Sequence, residues 1–327
     1  MATSVAKILI TGGTGFIGSH LAEFLTSKGA DVLALVRNPH RLRFLRGQAV
    51  HLLPGDLFTI PDLPSSLEVV FHLAGSTKAL KSEDYYMSNE RGTASLFKAL
   101  ERQRLHPRVI ILSTLAAGGP SAAGRPRKES DPPSPLTPYG KSKFFAEREA
   151  LARRDRFRVT IIRVGGVYGP RDADFLHYFK FVKRGLVLSL GWRRKPISVC
   201  YVNDLIRALD LAAGKNLESG EIFNVGNPVP CTMDEIGRAA ALALGKKTIR
   251  IPVPLPVVYG ACLLSDAAAA LTGRPSIINR DKYLEYKQPG WVADVGKARR
   301  LLSFETRSSL EEGIRETIAW YTENGWL

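Results

Sequence analysis

Cysteine is scarce in this chain, and no two cysteines stand at short spacing. Cys200, Cys231 and Cys262 are the only ones among 327 residues, each 31 positions from the next. This spacing argues against both a disulfide framework and a zinc site built on CxxC pairs. The six histidines are scattered and stand at no metal-ligand spacing. We therefore expect no metal site and a protein that works in the reducing cytoplasm.

Long uninterrupted apolar runs are also missing. The opening MATSVAKILI lacks the apolar core of a secretory signal, so we expect none. The most apolar stretch, residues 251–273, is broken by prolines and by Asp266. We expect no membrane span there, while association with a membrane surface stays open. A lid helix over an apolar pocket and plain core are the two interpretations of this stretch.

Acidic residues are outnumbered: 46 Lys and Arg face 31 Asp and Glu, a formal net charge of +15. Such an excess is compatible with nucleic acid, an anionic membrane surface or an anionic ligand as partner. The basic clusters at 37–46, 153–158 and 192–195 are short and lack the zinc spacing of nucleic-acid modules. We expect a small-molecule partner, no nucleic acid, and one basic cluster that serves a cofactor phosphate.

The first half of the chain alternates short apolar runs with amphipathic stretches. Near-continuous apolar runs are typical of buried parallel strands, and their alternation with helices predicts a parallel sheet covered on both faces. The predicted strands are 7–12, 31–36, 49–54, 68–75, 108–114 and 158–164, and the predicted helices are 15–28, 84–103 and 138–154. The fold class is therefore α/β, with a smaller lobe formed mainly by C-terminal residues and a final amphipathic helix over 309–326.

A glycine-rich turn, TGGTGFIGSH, follows the first predicted strand at residues 11–20. Glycines at such a strand-to-helix turn let the backbone approach a pyrophosphate at the helix N-terminus, as in Rossmann-type dinucleotide sites. The strand before it, the helix after it and the next strand are the context that supports this interpretation. The candidate cofactor contacts in the turn are Gly12, Thr14, Gly15, Phe16, Ile17 and Gly18.

Arg37 stands nineteen residues beyond Gly18, where NAD-preferring sites place an acid on the ribose 2′-hydroxyl. An arginine there can pair with a 2′-phosphate, which favours NADP(H), with Arg41 and Arg43 as helpers. Stacking of Arg37 on the adenine would fit either cofactor, so NAD(H) stays an alternative.

Residues 137–143 read TPYGKSK. Tyr139 and Lys143 are four apart and would share one helix face, with Thr137 as N-cap and Pro138 in the first turn. Taken alone, this segment favours only a solvated helix start.

Together, TGGTGFIG and YGKSK make the chain resemble an extended short-chain dehydrogenase/reductase. Further motifs agree with the resemblance in order and spacing over nearly the whole length. They are GDL (55–57), HLAG (72–75), NERGT (89–93), LST (112–114), RVGGVYGPRD (163–172), YVNDLIRAL (201–209) and EIFNVGN (221–227).

The resemblance implies an acid/base role for Tyr139. Lys143 would lower the pKa of that tyrosine and hydrogen-bond the nicotinamide ribose. Thr114 would hold the substrate oxygen, and Ser113 is the weaker candidate, because adjacent strand residues point to opposite faces. His72 is interpreted as a core residue. The remaining implied cofactor contacts are Asp56 and Leu57 at the adenine, Leu73, Ala74 and Gly75 under the cofactor, Asn89 near the nicotinamide half, and Val164 and Gly165.

Two departures bear on the substrate. Gly166 stands where many sugar-nucleotide enzymes of the resembled family carry an Asn, and residues 115–120 read LAAGGP in place of a continuation into Val-Tyr-Gly. The apolar C-terminal lobe is closer in character to 3β-hydroxysteroid dehydrogenases and dihydroflavonol reductases. The leading hypothesis is an NADP(H)-dependent oxidoreductase for a ketone or secondary alcohol on a steroid-, flavonoid- or aryl-like molecule. The alternatives are a nucleotide-sugar epimerase or dehydratase, and a non-catalytic NADP(H)-binding regulator.

The predicted domain organisation follows the same resemblance. Residues 1–170, with returning segments near 201–226, would form the dinucleotide-binding domain, 171–200 and 227–308 the substrate lobe, and 309–327 the C-terminal helix. A homodimer would form through the helices 84–103 and 138–154.

Overall fold

A seven-stranded parallel sheet forms the centre of the protein in the computed structural model, which describes residues 6–276 and 278–327. Its strand order is β10-β6-β5-β4-β1-β2-β3. The strands are β1 (Lys7–Thr11), β2 (Asp31–Val36), β3 (His51–Pro54), β4 (Leu67–His72), β5 (Arg108–Thr114), β6 (Arg158–Val164) and β10 (Glu221–Val225). The predicted doubly wound α/β fold is confirmed. All six predicted strands are present, and EIFNVGN supplies the seventh.

Two small parallel pairs lie outside this sheet. One joins β7 (Gly166–Tyr168) to β9 (Val199–Tyr201), and the other joins β8 (Leu186–Leu190) to β11 (Ile249–Val253).

Eleven α-helices complete the described part of the chain. They are α1 (Phe16–Ser27), α2 (Ser82–Tyr86), α3 (Gly92–Arg102), α4 (Leu115–Gly118), α5 (Pro138–Leu151), α6 (Asp174–Lys183), α7 (Val202–Gly214), α8 (Met233–Ala243), α9 (Leu255–Thr272), α10 (Arg280–Tyr286) and α11 (Leu310–Glu323). The predicted helix over 84–103 is interrupted by one π-helical turn, Met87–Arg91, which carries Asn89 at the junction of α2 and α3. Such single turns often re-aim a side chain at a functional site.

Both faces of the sheet are buried because successive strand residues enter different cores. Leu9, Val109 and Ile161 pack with residues of α3 and α5, while their neighbours Ile110 and Ile162 pack with residues of α1 and α7. This explains why the strands read as continuous apolar runs. The second core continues into the C-terminal part through α6, α8 and α11, so the two lobes share one hydrophobic cluster. The domain boundaries given above stay a prediction.

A buried hydrogen-bonded chain centred on His72 joins the end of β4 to β1 and α3. The Ala74 N–H donates to Thr11 Oγ1 at 3.2 Å, and Thr11 lies 2.8 Å from His72 Nδ1. On the other side His72 Nε2 lies 3.0 Å from Thr93 Oγ1, which donates to the Asn89 carbonyl at 2.6 Å. Burial lowers the pKa of His72 to about 3. The imidazole is therefore neutral and fully bonded, which confirms the interpretation of His72 as a core residue.

The apolar stretch 251–273 differs from expectation. Its helix α9 is not core, because only Val258 and Cys262 among its residues are buried, and no residue of α9 lines the cleft described below. These two lie four positions apart on one face, and the remainder of the helix surface faces outward.

Candidate active site

A cleft of about 1080 Å³ opens at the carboxyl ends of the central strands. Parallel sheets bind ligands at this edge, where the strand order reverses between β1 and β4. The cleft is large enough for a dinucleotide together with a substrate. The structure brings the following predicted residues together in its lining: Gly12, Gly15, Phe16, Ile17, Gly18, Leu73, Gly75, Asn89, Thr114, Tyr139, Lys143, Val164 and Gly165.

The glycine turn between β1 and α1 is closed too tightly for side chains. A Cβ added at Gly18 would lie 2.2 Å from the Gly12 carbonyl oxygen, and one added at Gly12 would lie 2.7 Å from the Ala74 nitrogen. Gly12 also has a positive φ of 78°. Gly15 caps α1 without a side-chain hydrogen bond, so the first helical N–H groups point toward the cleft. This turn fits the pyrophosphate of a dinucleotide.

Five predicted cofactor residues lie outside the cleft lining: Thr14, Arg37, Asp56, Leu57 and Ala74. Asp56 accepts hydrogen bonds from the backbone of Phe58 and Thr59 and from the Thr59 hydroxyl. These bonds, helped by the charge of Arg37, lower the pKa of the Asp56 carboxyl. Arg37 is exposed directly after β2. The adenine side is thus an open surface, and the cofactor roles of these residues stay predictions.

The segment TPYGKSK begins helix α5, as predicted. Thr137 caps the helix by accepting a hydrogen bond from the Gly140 N–H at 3.1 Å, and Pro138 occupies the first turn. The capping hydroxyl also reaches Glu285 Oε1 at 3.3 Å, which ties the start of α5 to α10. Lys143, one turn further, is buried and donates to the Leu112 carbonyl of β5 at 2.7 Å.

Thr114 and Ser113 take different partners at the end of β5. Thr114 Oγ1 accepts a hydrogen bond from the Ala116 N–H at 3.2 Å and interacts with the Tyr139 side chain. Ser113 Oγ donates to Glu147, on the buried side of α5. This division agrees with the preference for Thr114, whose catalytic role stays a prediction.

The positive charge that acts most strongly on Tyr139 in the structure is that of Lys282. Burial raises the pKa of Tyr139, and the positive charge of Lys282 together with the Thr114 hydrogen bond opposes that rise. The effect of Lys143 on the pKa of Tyr139 stays a prediction. Burial also lowers the pKa of Lys143, to about 8, against the attraction of Glu147. Burial therefore moves the pKa values of the two groups apart, upward for Tyr139 and downward for Lys143.

Helix α10 supplies residues that the sequence did not point to. Lys282 pairs with Glu285 at 2.6 Å, and both line the cleft beside Tyr139. Tyr85 of α2 places its ring 5.9 Å from that of Tyr139. The α10 pair lies more than 140 residues after Tyr139, so only the fold brings them together. The Asn279 N-cap, which binds the Lys282 N–H at 2.8 Å, is the one local signal of this helix.

Asn89 lies at the side of the cleft that is predicted to hold the nicotinamide, but its side-chain amide is hydrogen-bonded to other groups of the protein. It accepts from the Ser76 N–H at 2.9 Å and donates to the Ser76 carbonyl and to Ser142 Oγ at 3.1 and 2.9 Å. A Cβ at Gly75 would lie 2.5 Å from its Oδ1. Asn89 thus fixes the loop after β4 against α5, and its predicted cofactor contact stays a prediction.

Residues 8–226 match the model of the NAD dependent epimerase/dehydratase family. The chain belongs to this family. Its type is the extended short-chain dehydrogenase/reductase, as the sequence motifs implied, and it is an enzyme of the NAD(P)-dependent oxidoreductase type, which removes the alternative of a non-catalytic regulator.

Individual members of the family align with almost the whole chain. The ceramide reductase of Caulobacter vibrioides is 29% identical over 335 residues, covering 100% of this chain and 98% of the relative. The UDP-glucose 4-epimerase of Vibrio cholerae is 27% identical over 334 residues, covering 95% and 94%. The solved structure of MoeE5 in complex with UDP-glucuronic acid and NAD is 25% identical, with a TM-score of 0.77 and coverage of 98% and 100%.

These findings bear on two expectations about ligands. Pyridine-nucleotide binding follows from the family and from the glycine turn, but the preference for NADP(H) does not, because similar structures such as MoeE5 were solved with NAD. Enzymes named for nucleotide sugars predominate among the similar proteins, so the steroid-, flavonoid- or aryl-like substrate is not established by similarity.

If Lys143 holds the cofactor as predicted, its lowered pKa predicts that cofactor binding depends on pH. Lys143 is charged below about pH 8 and neutral above it. A charge-assisted hydrogen bond is stronger than a neutral one by about 1 kcal/mol or more, so we expect the dissociation constant for NADH or NADPH to rise by about tenfold between pH 7 and pH 9.5. Fluorescence titration across this range measures it.

Lys143→Met is the matched variant for this titration. It should bind cofactor more weakly at pH 7 and lose the pH dependence. An equal rise of the dissociation constant in Lys143→Met would assign the ionisation to another group and contradict the role given to Lys143.

Proposed function

We propose that this enzyme interconverts a ketone and a secondary alcohol on a hydrophobic molecule, with a pyridine nucleotide as redox partner. The observation that carries the proposal is that three cations of the cleft lining are already paired with carboxylates. Lys282 pairs with Glu285 at 2.6 Å, Lys78 with Asp174 at 2.5 Å, and Arg171 with Glu23 at 2.6 Å. A nucleotide sugar carries a diphosphate that needs cations not already committed to carboxylates.

The walls of the substrate end agree with an apolar ligand. Val167, Phe175, Ile197 and Trp291 contribute apolar surface there. The Phe175 ring lies 3.4 Å from where a Cβ would stand at Gly166, so the position that carries Asn in many nucleotide-sugar enzymes faces an aromatic ring. Burial of an apolar ligand against such walls contributes about 25 cal/mol per Å² of area removed from water. The similarity to a protein named ceramide reductase supports the same substrate class.

Each polar residue of the cleft has a separate role in the proposed reaction. The bound nicotinamide supplies or accepts the hydride at the carbonyl carbon. In the reducing direction Tyr139 gives its phenolic proton to the carbonyl oxygen as the hydride reaches the carbonyl carbon, so that the C=O double bond becomes a C–O single bond and new C–H and O–H bonds form. Thr114 holds that oxygen by hydrogen bonding, and the charge of Lys282 stabilises the phenolate that forms. Oxidation of the alcohol runs the same steps backwards.

Tyr139→Phe tests the proton-transfer role. The variant keeps the ring and loses the hydroxyl, so we expect a fall in kcat of about a hundredfold or more with little change in cofactor affinity, since acid/base groups contribute about 10²–10⁴-fold. The assay follows NAD(P)H absorbance against long-chain, steroid and aryl ketones. Tyr85→Phe, the neighbouring tyrosine, is the matched control and should retain turnover. Full turnover in Tyr139→Phe would contradict the assignment.

A second candidate function is supported by the names of the similar proteins: a nucleotide-sugar epimerase, dehydratase or decarboxylase. The same Tyr139, Lys143 and Thr114 would then act on a sugar hydroxyl. A panel of UDP- and dTDP-sugars run beside the apolar ketones separates the two. Turnover of the sugars without turnover of any apolar ketone would contradict the first proposal.

We keep NADP(H) as the proposed preferred cofactor, with NAD(H) as the alternative. Arg37 is exposed directly after β2, where Rossmann-type sites place the residue that selects between the 2′-hydroxyl and the 2′-phosphate. Arg37→Asp should lower the ratio of kcat/KM for NADPH to that for NADH by about tenfold or more, which is the size of one lost charge-assisted hydrogen bond. Arg156→Asp, an exposed arginine outside the cleft lining, is the control. An unchanged ratio in Arg37→Asp would remove Arg37 from cofactor selection.

The proposed homodimer rests on the outer side of the α2–α5 pair. Met87 is 39% exposed, and the half-buried rings of Tyr86 and Phe145 lie 6.1 Å apart beside it. Partly exposed aromatic and Met side chains are typical of interface centres. Met87→Glu with Phe145→Glu should convert a dimer into a monomer in light scattering, while wild-type protein that is already monomeric would refute the dimer.

A further inference from the structure

Helix α9 has an unusual distribution of polarity. It is 18 residues long with a mean hydropathy of 1.5, yet only two of its residues are buried. Its single charged residue, Asp266, is paired with Arg280 at 2.8 Å. The buried positions Val258 and Cys262 form one narrow stripe. A surface helix normally turns charged and polar residues outward, so this helix is inverted.

Three large side chains form a continuous ridge along the outward face of α9. Val257, Leu264 and Leu271 are 58%, 75% and 89% exposed. They stand seven positions apart, which places them almost in line over about 21 Å of helix. Most of the positions between them are alanine or other small residues. We call these three residues the α9 ridge. Two residues of the segment that follows, Ile278 and Leu284, are also exposed and enlarge the apolar surface of this region.

Both ends of helix α9 are attached to the same part of the protein, so α9 does not cross a membrane. Strand β11, directly before α9, is paired with β8, and α10, shortly after it, lines the cleft. Both ends are therefore fastened to the same lobe, whereas a spanning helix has its ends on opposite sides of a hydrocarbon core about 30 Å thick. Its length and composition fit a helix that lies in the plane of a membrane interface.

The charge near the ridge identifies the kind of membrane. Arg274 is exposed just after α9 and Lys287 just after α10, whereas the charge of Arg280 is paired with Asp266. The whole chain carries a formal net charge of +15. Basic residues that flank an apolar helix face are attracted to anionic lipid head groups. A second copy of the chain would bring the same positive charge and is disfavoured as the occupant.

We propose that the α9 ridge docks on the surface of an anionic phospholipid bilayer. Helix α10 packs against α9 and carries Lys282 and Glu285 in the cleft, so the bilayer would lie beside the cleft entrance. The docking itself is independent of the substrate. Its use as a route for a hydrophobic ketone or alcohol from the bilayer into the cleft rests on the proposed function.

Vesicle flotation of the full chain tests the docking. The vesicles are phosphatidylcholine alone and phosphatidylcholine mixed with phosphatidylglycerol. Wild-type protein should float with the mixed vesicles and much less with the neutral ones. Leu264→Glu with Leu271→Glu should lower the bound fraction by more than about tenfold, because two leucines that would enter the membrane interface are replaced by charges.

The control variant is Val229→Glu with Leu242→Glu, two residues 71% and 78% exposed that lie outside α9. It should float like wild type, and NADH titration verifies that both variants are folded. Absence of wild-type flotation, or flotation of the ridge variant equal to that of the control, would overturn the proposal. If the ridge instead joins two copies of the chain, the wild-type protein would not bind vesicles, and its molecular mass in solution would be larger than that of the ridge variant. This result would also overturn the proposal.

The two proposals fail separately in these experiments. Turnover of nucleotide sugars alone, with flotation intact, would remove the hydrophobic substrate and leave the docking. Turnover of apolar ketones without flotation would remove the docking and leave the hydrophobic substrate.

Discussion

The site depends on one buried ion pair, in which Arg163 of β6 holds Glu147 of α5 by two hydrogen bonds of 2.9 and 2.6 Å. Their side chains are only 4% and 2% exposed, and Ser113 of β5 donates to the same carboxylate. Loss of either partner would leave a buried charge unpaired, at a cost of about 3–5 kcal/mol. The pair fixes α5 along the sheet, which places Lys143 one turn earlier beneath Leu112 and Tyr139 one turn before that beside Thr114.

The remainder of the cleft is built around that fixed helix by two kinds of structure. The dinucleotide side consists of backbone: the turn at Gly12 and Gly18 and the loop held by Asn89 leave room where side chains would collide. The substrate side consists of side chains delivered from the C-terminal part, above all Lys282 and Glu285. The first kind is common to an entire family, whereas the second gives an individual enzyme its substrate, which is why similarity identifies the family and leaves the substrate to be proposed.

Sequence patterns predicted the local features well. The six strands, the start of α5 at Thr137 and the glycine turn follow from short-range periodicity and capping, which the chain encodes within a few residues. The contribution of Lys282 was missed, because its approach to Tyr139 from α10 depends on contacts far apart in the chain. The exposure of α9 was also missed, because an apolar helix has the same sequence pattern whether it packs in a protein core or lies on a lipid surface.

The central claim is that net hydride transfer occurs between a nicotinamide and the carbonyl carbon of a hydrophobic substrate beside Tyr139. The most direct measurement supplies NADPH or NADH deuterated at the transferring C4 position and follows the label by mass spectrometry. The account predicts one deuterium at the carbinol carbon of the product for each cofactor oxidised. Conversion of a nucleotide sugar with no net oxidation of the cofactor, and no label in any apolar ketone, would contradict it.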